Sequence, residues 1–287
     1  MSHIYVINSL GEREPISYYK IYRSARRVGA AKKLARQIAD KIIKEAKSGI
    51  TTKEIYQKVQ EQLRIAQPVA ALRFSLKEGI KKLGPAGFMF EKYMAKVFES
   101  YGYFVQLNQF INGFCLAYEI DFLAQKNKEI ILAECKYHNL SGGRVDLKVA
   151  LADYARYLDL ADGNFLKRYE QKKFKIRKYI ITNTKFTSEV IKYAHCVGIE
   201  LLGWRYPPEG GLEALIENKK LYPITVLPSL NGHFAEILSQ EHKVLIQDII
   251  QLDAKKLARR YSLNEKQFQK LKEEAGLLLQ NSDKDEH

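Results

Sequence analysis

Three strand-like runs follow one another in the middle of this 287-residue chain: YFVQLNQFI (103–111), AYEIDFLAQ (117–125) and EIILAECKY (129–137). A short polar turn joins the last two, which makes them a hairpin. The helix ahead of them carries Phe90, Met94, Val97, Phe98 and Tyr101 on its apolar stripe and stops at Gly102. After them, residues 146–160 return to helical period, KYIIT (178–182) reads as a strand, 187–197 as a helix and 199–204 as a strand. Alternation of this kind specifies an α/β domain with a mixed sheet.

The flanking regions differ in character. Residues 4–7 (IYVI) read as a strand and SLGERE as a turn around Gly11. Ser17 opens a helix through Ile21, Ala25 and Val28, which Gly29 breaks. A second helix places Ala31, Leu34, Ala35, Ile38, Ala39, Ile42 and Ala46 on one stripe. Thr51 and Glu54 have capping-box spacing ahead of a third helix with Ile55, Val59 and Leu63. The segment LGPAGF (83–88) marks a boundary. Beyond Pro207-Pro208 the pattern is helical and patchy, and residues 245–279 read as two or three short amphipathic helices, shaped like a helix-hairpin-helix DNA module but without its glycine turn, so that an ordinary packing extension is expected. The expected division is 1–83, a small and mostly helical domain; 84–208, the α/β domain; and 209–287, a helical C-terminal extension.

Lys and Arg number 47 against 33 Asp and Glu, a net charge of +14. Such a surplus concentrates polyanions near the surface, with nucleic acid the leading partner. The run KRYEQKKFKIRK (167–178) interleaves cations with Tyr169 and Phe174. It reads as a segment that tracks a DNA backbone, with a solvated connector as the alternative. Three cysteines without CxxC spacing argue against a disulfide framework or a zinc cluster and fit a reducing cytoplasm. No run approaches the ~18 apolar residues of a membrane span, and the N-terminus lacks a secretory pattern, so a cytoplasmic location is expected. A phosphate-binding GxxxxGK[ST] loop and a nucleophile elbow are both missing from the sequence.

One constellation carries chemistry. Glu134 and Lys136, two apart in a strand, share a face, while Cys135 points the other way. Across the hairpin, Asp121 can reach the same surface. Two hard oxygen ligands suit Mg²⁺ (or Mn²⁺) bound against a phosphate. A neighbouring lysine can orient water and stabilise the extra charge of the transition state. Glu91 borders the buried stripe of the preceding helix, where a carboxylate is costly unless paired or metal-bound. A surface salt-bridge network is the alternative reading of the same residues.

The ordered motifs FE (90–91), GY (102–103), EID (119–121), ECKYHN (134–139) and ITNTKFT…YAHCVGIELLGW (181–204) resemble the Mrr-type branch of the PD-(D/E)xK restriction endonucleases. The resemblance covers roughly residues 84–205. It implies a restriction-endonuclease-like central mixed sheet flanked by helices, double-stranded DNA as substrate, and Asp121, Glu134 and Lys136 as the active centre. Glu91 is then a supporting acid, with Asp121, Glu134 and Glu91 as the metal ligands. His138 and Asn139 follow the lysine, either to meet phosphate or order a water, or as ordinary strand-end residues.

The N-terminal residues YVI (5–7), Gly11, REPI (13–16), KI (20–21), Ala25 to Gly29, Ile38, Ala39 and GITTKEI (49–55) are similar to the ATP-cone, a regulatory nucleotide-binding module. The resemblance implies ATP or dATP as effector. Where that family has a Lys-Arg pair after the first strand, this chain has Asn8 and Ser9. Lys20, Arg23, Arg26 and Arg27 can replace the lost charge, with Lys20, Arg23 and Arg27 the assigned phosphate contacts; a solvated basic helix face is the alternative. Weak nucleotide binding, or a cone kept as an oligomerisation surface, is expected. The combined expectation is a nucleotide-regulated, Mg²⁺-dependent endonuclease, a homo-oligomer acting against foreign DNA. The rival is a nucleotide-responsive DNA-binding regulator with an inactive nuclease fold.

Overall fold

The computed structural model describes residues 4–84, 88–140, 142–241, 243–261 and 264–280, so Pro85 and Gly87 of the expected boundary and the acidic end 281–287 lie outside the described residues. Two compact units are present. One comprises 1–79, 224–243 and 247–287; the other comprises 80–223 and 244–246. These units do not coincide with the boundaries drawn from sequence at 83/84 and 208/209.

The first unit begins with β1 (Tyr5–Ile7) and β2 (Arg13–Pro15), followed by α1 (Tyr18–Arg27), α2 (Lys32–Glu45), β3 (Ile50–Thr51), α3 (Thr52–Ala66), α4 (Pro68–Phe74) and α5 (Leu76–Lys81), within which the unit boundary falls. β1 is central, antiparallel to β2 and parallel to β3. α1 starts where the Ser17 hydroxyl accepts from Lys20 N at 3.2 Å. α3 starts at the expected capping box: Glu54 N donates to Thr51 Oγ1 at 3.1 Å, and Thr51 N donates to Glu54 Oε2 at 2.8 Å. Buried Ala25, Ala30, Ala35 and Ala39 let α1 and α2 approach closely around Ile21, Ile38, Ile42, Val59 and Leu63.

In the second unit, α6 (Phe88–Ser100) leads into β4 (Phe104–Asn112), β5 (Ala117–Lys126) and β6 (Glu129–Lys136). Then come β7 (Arg144–Val145), α7 (Leu147–Asp162), α8 (Asn164–Gln171), β8 (Lys175–Thr182), β9 (Lys185–Phe186), α9 (Ser188–Val197), β10 (Ile199–Leu202) and α10 (Leu212–Lys219). The five-stranded sheet has the order β10-β8-β6-β5-β4. β4, β5 and β6 form an antiparallel meander, and β6, β8 and β10 run parallel. The mixed sheet is therefore present as expected. Phe98 of α6 meets Phe122 at 5.2 Å between ring centroids. The neighbouring Leu123 packs with Leu132, Leu160 and Leu166. Successive strand residues face opposite sides, so α6 covers one face and α7 and α8 the other. The Tyr93 hydroxyl, fully buried, fixes α6 by donating to Leu221 O at 2.7 Å.

The remaining elements are α11 (Gly232–Gln240), α12 (Ile246–Gln251), α13 (Ala254–Tyr261) and α14 (Glu265–Gln280). Most of this region belongs to the first unit, which the sequence reading had set apart as an extension. α14 packs on α4 through a buried row of Phe268, Leu271, Ala275 and Leu278. Glu274 accepts from Ser229 N at 3.1 Å and from Ser229 Oγ at 2.6 Å. Gly79 allows the backbone of Val226 to pass where a Cβ would come within 3.1 Å of its nitrogen. Among the described residues no helix is long and apolar enough to cross a membrane.

Removing the α3 cap with Thr51→Ala should destabilise the first unit by about 1 kcal/mol. Amide hydrogen exchange should accelerate first at residues 52–55, and unchanged exchange there would mean the capping box carries no stability.

Candidate functional site

Asp121 stands where β5 leaves both of its neighbours. The β4–β5 register runs through Leu107↔Phe122 and resumes at Gln109↔Ile120, skipping Asn108 and Asp121; Asn108 has φ +50°. The β5–β6 register ends at Phe122↔Ala133, one step short of Asp121 opposite Glu134. Regular alternation would set Ile120 and Leu123 on opposite faces, yet both lie in one cluster with Leu132 and Leu160. The strand therefore exchanges faces at Asp121. Its carboxylate turns to the neighbouring strand and accepts from Cys135 N at 2.5 Å.

Glu134 lies on the α7 side of β6 and is 7% exposed. One of its oxygens pairs with Lys136 and the other with Arg156 Nη2 at 2.6 Å. Arg156 also meets Asp153 at 2.9 Å and donates to Glu119 O at 3.2 Å. A buried carboxylate needs such partners. Asp121 has fewer. Burial, then the charge of Glu134, push its carboxyl up to about 7; the Cys135 N–H and Lys136 oppose this, and Glu91 adds to it. Burial likewise raises Asp153 to about 6 against the pull of Arg156. Glu91 is raised by burial and by the charges of Glu119 and Glu134.

Asp121, Glu134 and Lys136 thus share one end of the sheet, with Glu91 on α6 within electrostatic reach. The three-carboxylate metal set is not assembled as expected: among the described residues no three His, Cys, Asp or Glu side chains are gathered to hold an ion. The reason is local, because Glu134 is turned to two cations and Asp121 to a backbone amide. Asp153 and Arg156 escaped the sequence reading. The available signal was two opposite charges three apart on a helix whose other face is apolar.

His138 follows the end of β6. Its backbone is tied to Asn183, N to Oδ1 at 2.9 Å and O from Nδ2 at 2.8 Å. Its ring lies over Gly143, where an added Cβ would come within 2.9 Å of Nδ1. Burial lowers its pKa. For Asn139 the structure shows no role at the site.

The basic run 167–178 is divided between two elements. It is no connector: its first half completes α8 and its last residues begin β8. Arg177 is engaged by Glu200, by Glu129 at 2.9 Å and by the Tyr179 hydroxyl. Lys178 donates to Val197 O at 3.0 Å and lies 4.1 Å over the Tyr157 ring. Arg177 and Lys178 are thus structural, while Lys167, Arg168, Lys172, Lys173 and Lys175 of the run are exposed.

In the cone, the expected phosphate contacts Lys20, Arg23 and Arg27 are exposed on α1 at spacings of three and four, which puts them on one side of the helix. Lys20 pairs with Glu14 at 2.9 Å, and Arg23 lies 5.4 Å over the Tyr19 ring. Arg26 donates to Ala30 O. Arg27 is exposed in the last turn of α1. Asn8 holds the loop after β1 with its amide on Glu12 and Glu14, both at 2.9 Å, and its oxygen on Leu10 N and Glu12 N. The hydrogen bond from Asn8 and the pairing with Lys20 hold Glu14 below the usual carboxylate range. Lys20 and Glu14 pair at the surface, so a nucleotide phosphate taking Lys20 would replace that pair.

Comparison with known proteins bears out the ATP-cone. The family described as the ATP cone domain matches residues 4–77. A second, described as AF1548-like, C-terminal, matches residues 222–279. Neither match covers 78–221. An Archaeoglobus fulgidus protein described as uncharacterized is 37% identical over 164 residues, spanning 57% of this chain and 87% of its own length. The crystal structure of AF1548, a protein of unknown function, is 34% identical with a TM-score of 0.56, and the match covers 69% of this chain and all of that one. The cone points to nucleotide-responsive regulation.

The raised Asp121 gives a pH signature. Its folded pKa, about 7, lies above the ordinary carboxylate value, so its proton-linked stabilisation is complete below about pH 4 and lost as pH rises through 7. Asp121→Asn keeps an acceptor for the Cys135 amide and removes the unfavourable anion. Without divalent metal, the variant should melt about 3 °C or more above the parent at pH 8, with the difference closing towards pH 4. A pH-independent difference would show that Asp121 is not the strained group.

Proposed function

The chain belongs to the AF1548-like family, and we propose that it is a metal-dependent nuclease hydrolysing DNA phosphodiester bonds under the control of its N-terminal cone. The observation that carries this reading is Asp121, held at a break in the sheet with its carboxyl pushed to about 7 beside buried Glu134. A mixed five-stranded sheet covered by helices on both faces is compatible with a restriction-endonuclease-like domain, and the motifs of residues 84–205 support that assignment.

Mg²⁺ or Mn²⁺ would suit the oxygen chemistry of Asp121 and Glu134 once Glu134 gives up its pair with Lys136. Asp121 and Glu134 offer hard oxygens, and burial, with the charge of Glu134 second, disfavours the Asp121 anion, which a divalent cation would stabilise. Asp121 and Glu134 would hold the ion, with Glu91 adding to the field. When bound, such an ion polarises a phosphate and acidifies water. The chain's own groups do the rest. Lys136, partly exposed, turns its ammonium from Glu134 to a phosphate oxygen and stabilises charge in the transition state. Arg156 and Asp153 hold Glu134 in place through the exchange. Action against foreign DNA is the biological role proposed for such an activity. One observation favours a second reading, a nucleotide-responsive DNA-binding regulator with an inactive centre: both oxygens of Glu134 are already taken by Lys136 and Arg156.

Incubation with supercoiled plasmid separates the two. The nuclease reading expects nicking or linearisation with Mg²⁺ or Mn²⁺ and none with EDTA. Asp121→Ala should slow cleavage about 100-fold or more while leaving DNA binding largely intact, because phosphate contacts dominate affinity. Binding without cleavage in every metal would select the regulator.

Regulation is tested separately. If ATP or dATP takes Lys20 as a phosphate partner, Glu14→Gln should free that lysine and tighten binding about tenfold by calorimetry, whereas Lys20→Ala should weaken it. Nucleotide binding indifferent to both changes would place the phosphates elsewhere.

A further inference from the structure

The cations of the C-terminal region are unevenly placed. Residues 224–287 contain 9 Lys and Arg against 10 Asp and Glu, so the region has no overall positive charge. Between 254 and 272, however, stand seven cations (Lys255, Lys256, Arg259, Arg260, Lys266, Lys270 and Lys272) and one acid, Glu265. The segregation follows the helices. On α13, Lys255 and Arg259, and Lys256 and Arg260, are four apart, which puts all four on one exposed side within two turns. Leu257 supplies the buried side. Asp253 caps the helix, accepting from Lys255 N at 2.9 Å and Lys256 N at 3.1 Å. Lys272 anchors α14 to the preceding turn by donating to Leu252 O at 2.8 Å. Arg260 is fastened to Glu241 at 3.0 Å. Among the described residues, the side chains of Lys255, Lys256 and Arg259 are left without an ion pair.

We propose that the exposed face of α13 is a binding surface for the phosphate backbone of double-stranded nucleic acid. Charge complementarity selects this occupant: three to four cations cover about 7.5 Å of helix axis at 1.5 Å per residue, a spacing suited to successive phosphates. An anionic membrane fits less well, because the apolar side of α13 is buried and offers nothing to insert. The inference deepens the nuclease reading by naming a surface that holds the substrate, and rests on that reading for the choice of DNA. It also relocates backbone contact from residues 167–178, where Arg177 and Lys178 are structural.

The test is fluorescence anisotropy of a labelled DNA duplex in EDTA, so that binding is read without cleavage, over a series of salt concentrations. The variant Lys255→Ala/Lys256→Ala/Arg259→Ala changes only exposed side chains. It should lower affinity at least about tenfold near 0.1 M salt and reduce the slope of log affinity against log salt by about 2–3. Arg259→Ala alone should reduce it by about 1. Unchanged slopes in folded variants would overturn the proposal. So would loss of sedimentation with anionic phosphatidylserine vesicles while DNA affinity is retained. Plasmid cleavage with an unchanged slope would defeat this surface alone; a reduced slope without cleavage would defeat the nuclease reading alone.

Discussion

The interruption of β5 at Asp121 is the constraint on which the candidate site depends. A regular strand would keep this carboxylate in alternation with its neighbours and pair its backbone on both sides. Instead, the β4 register skips Asn108 and Asp121, and the β6 ladder stops one residue earlier. The side chain takes over part of the bonding by accepting from Cys135 N. The same distortion brings Asp121 between Glu134 on one side and Glu91 on the other, and their charges add to the burial that raises its pKa. Strain of this kind persists where surrounding packing fixes it, here by Phe122 against Phe98 and Leu123 against Leu132.

Around Glu134, opposite charges balance. Lys136 and Arg156 share its two oxygens, and Asp153 shares Arg156. Glu134 is thus balanced by two cations, whereas Asp121 is met by the Cys135 amide and has no ion pair of its own among the described residues. In the cone the corresponding balance runs the other way. Asn8 and Lys20 satisfy Glu12 and Glu14, so nucleotide phosphates would have to compete with existing bonds.

Much of this was legible in the sequence, for reasons that can be named. The Thr51–Glu54 capping box depends on local spacing alone, and it formed as read. The hairpin of β5 and β6 and the shared face of Glu134 and Lys136 follow from strand period and a short turn, whereas the break at Asp121 has no period to show it. β2 and β3 were missed because three and two residues contain no period. Asp153 and Arg156 were missed because their role depends on α7 lying against β6, a contact distant in sequence. The run 167–178 misled because a string of cations reads as solvated, while the alternation of Ile176 and Lys178 with Lys175 and Arg177 marks the start of a strand. The C-terminal helices were set apart because nothing local shows Glu274 meeting Ser229 or α14 meeting α4.

The central claim is that Asp121 and Glu134 form a site for a divalent cation. Calorimetric titration of the protein with Mn²⁺ near pH 7, repeated in buffers of different ionisation enthalpy, tests it most directly. With its pKa near 7, Asp121 is about half protonated there, so binding should release a fraction of a proton and the heat should depend on the buffer. Both the binding and the buffer dependence should vanish in Asp121→Asn. Absence of binding, or binding with the same heat in every buffer and in the variant, would contradict the account.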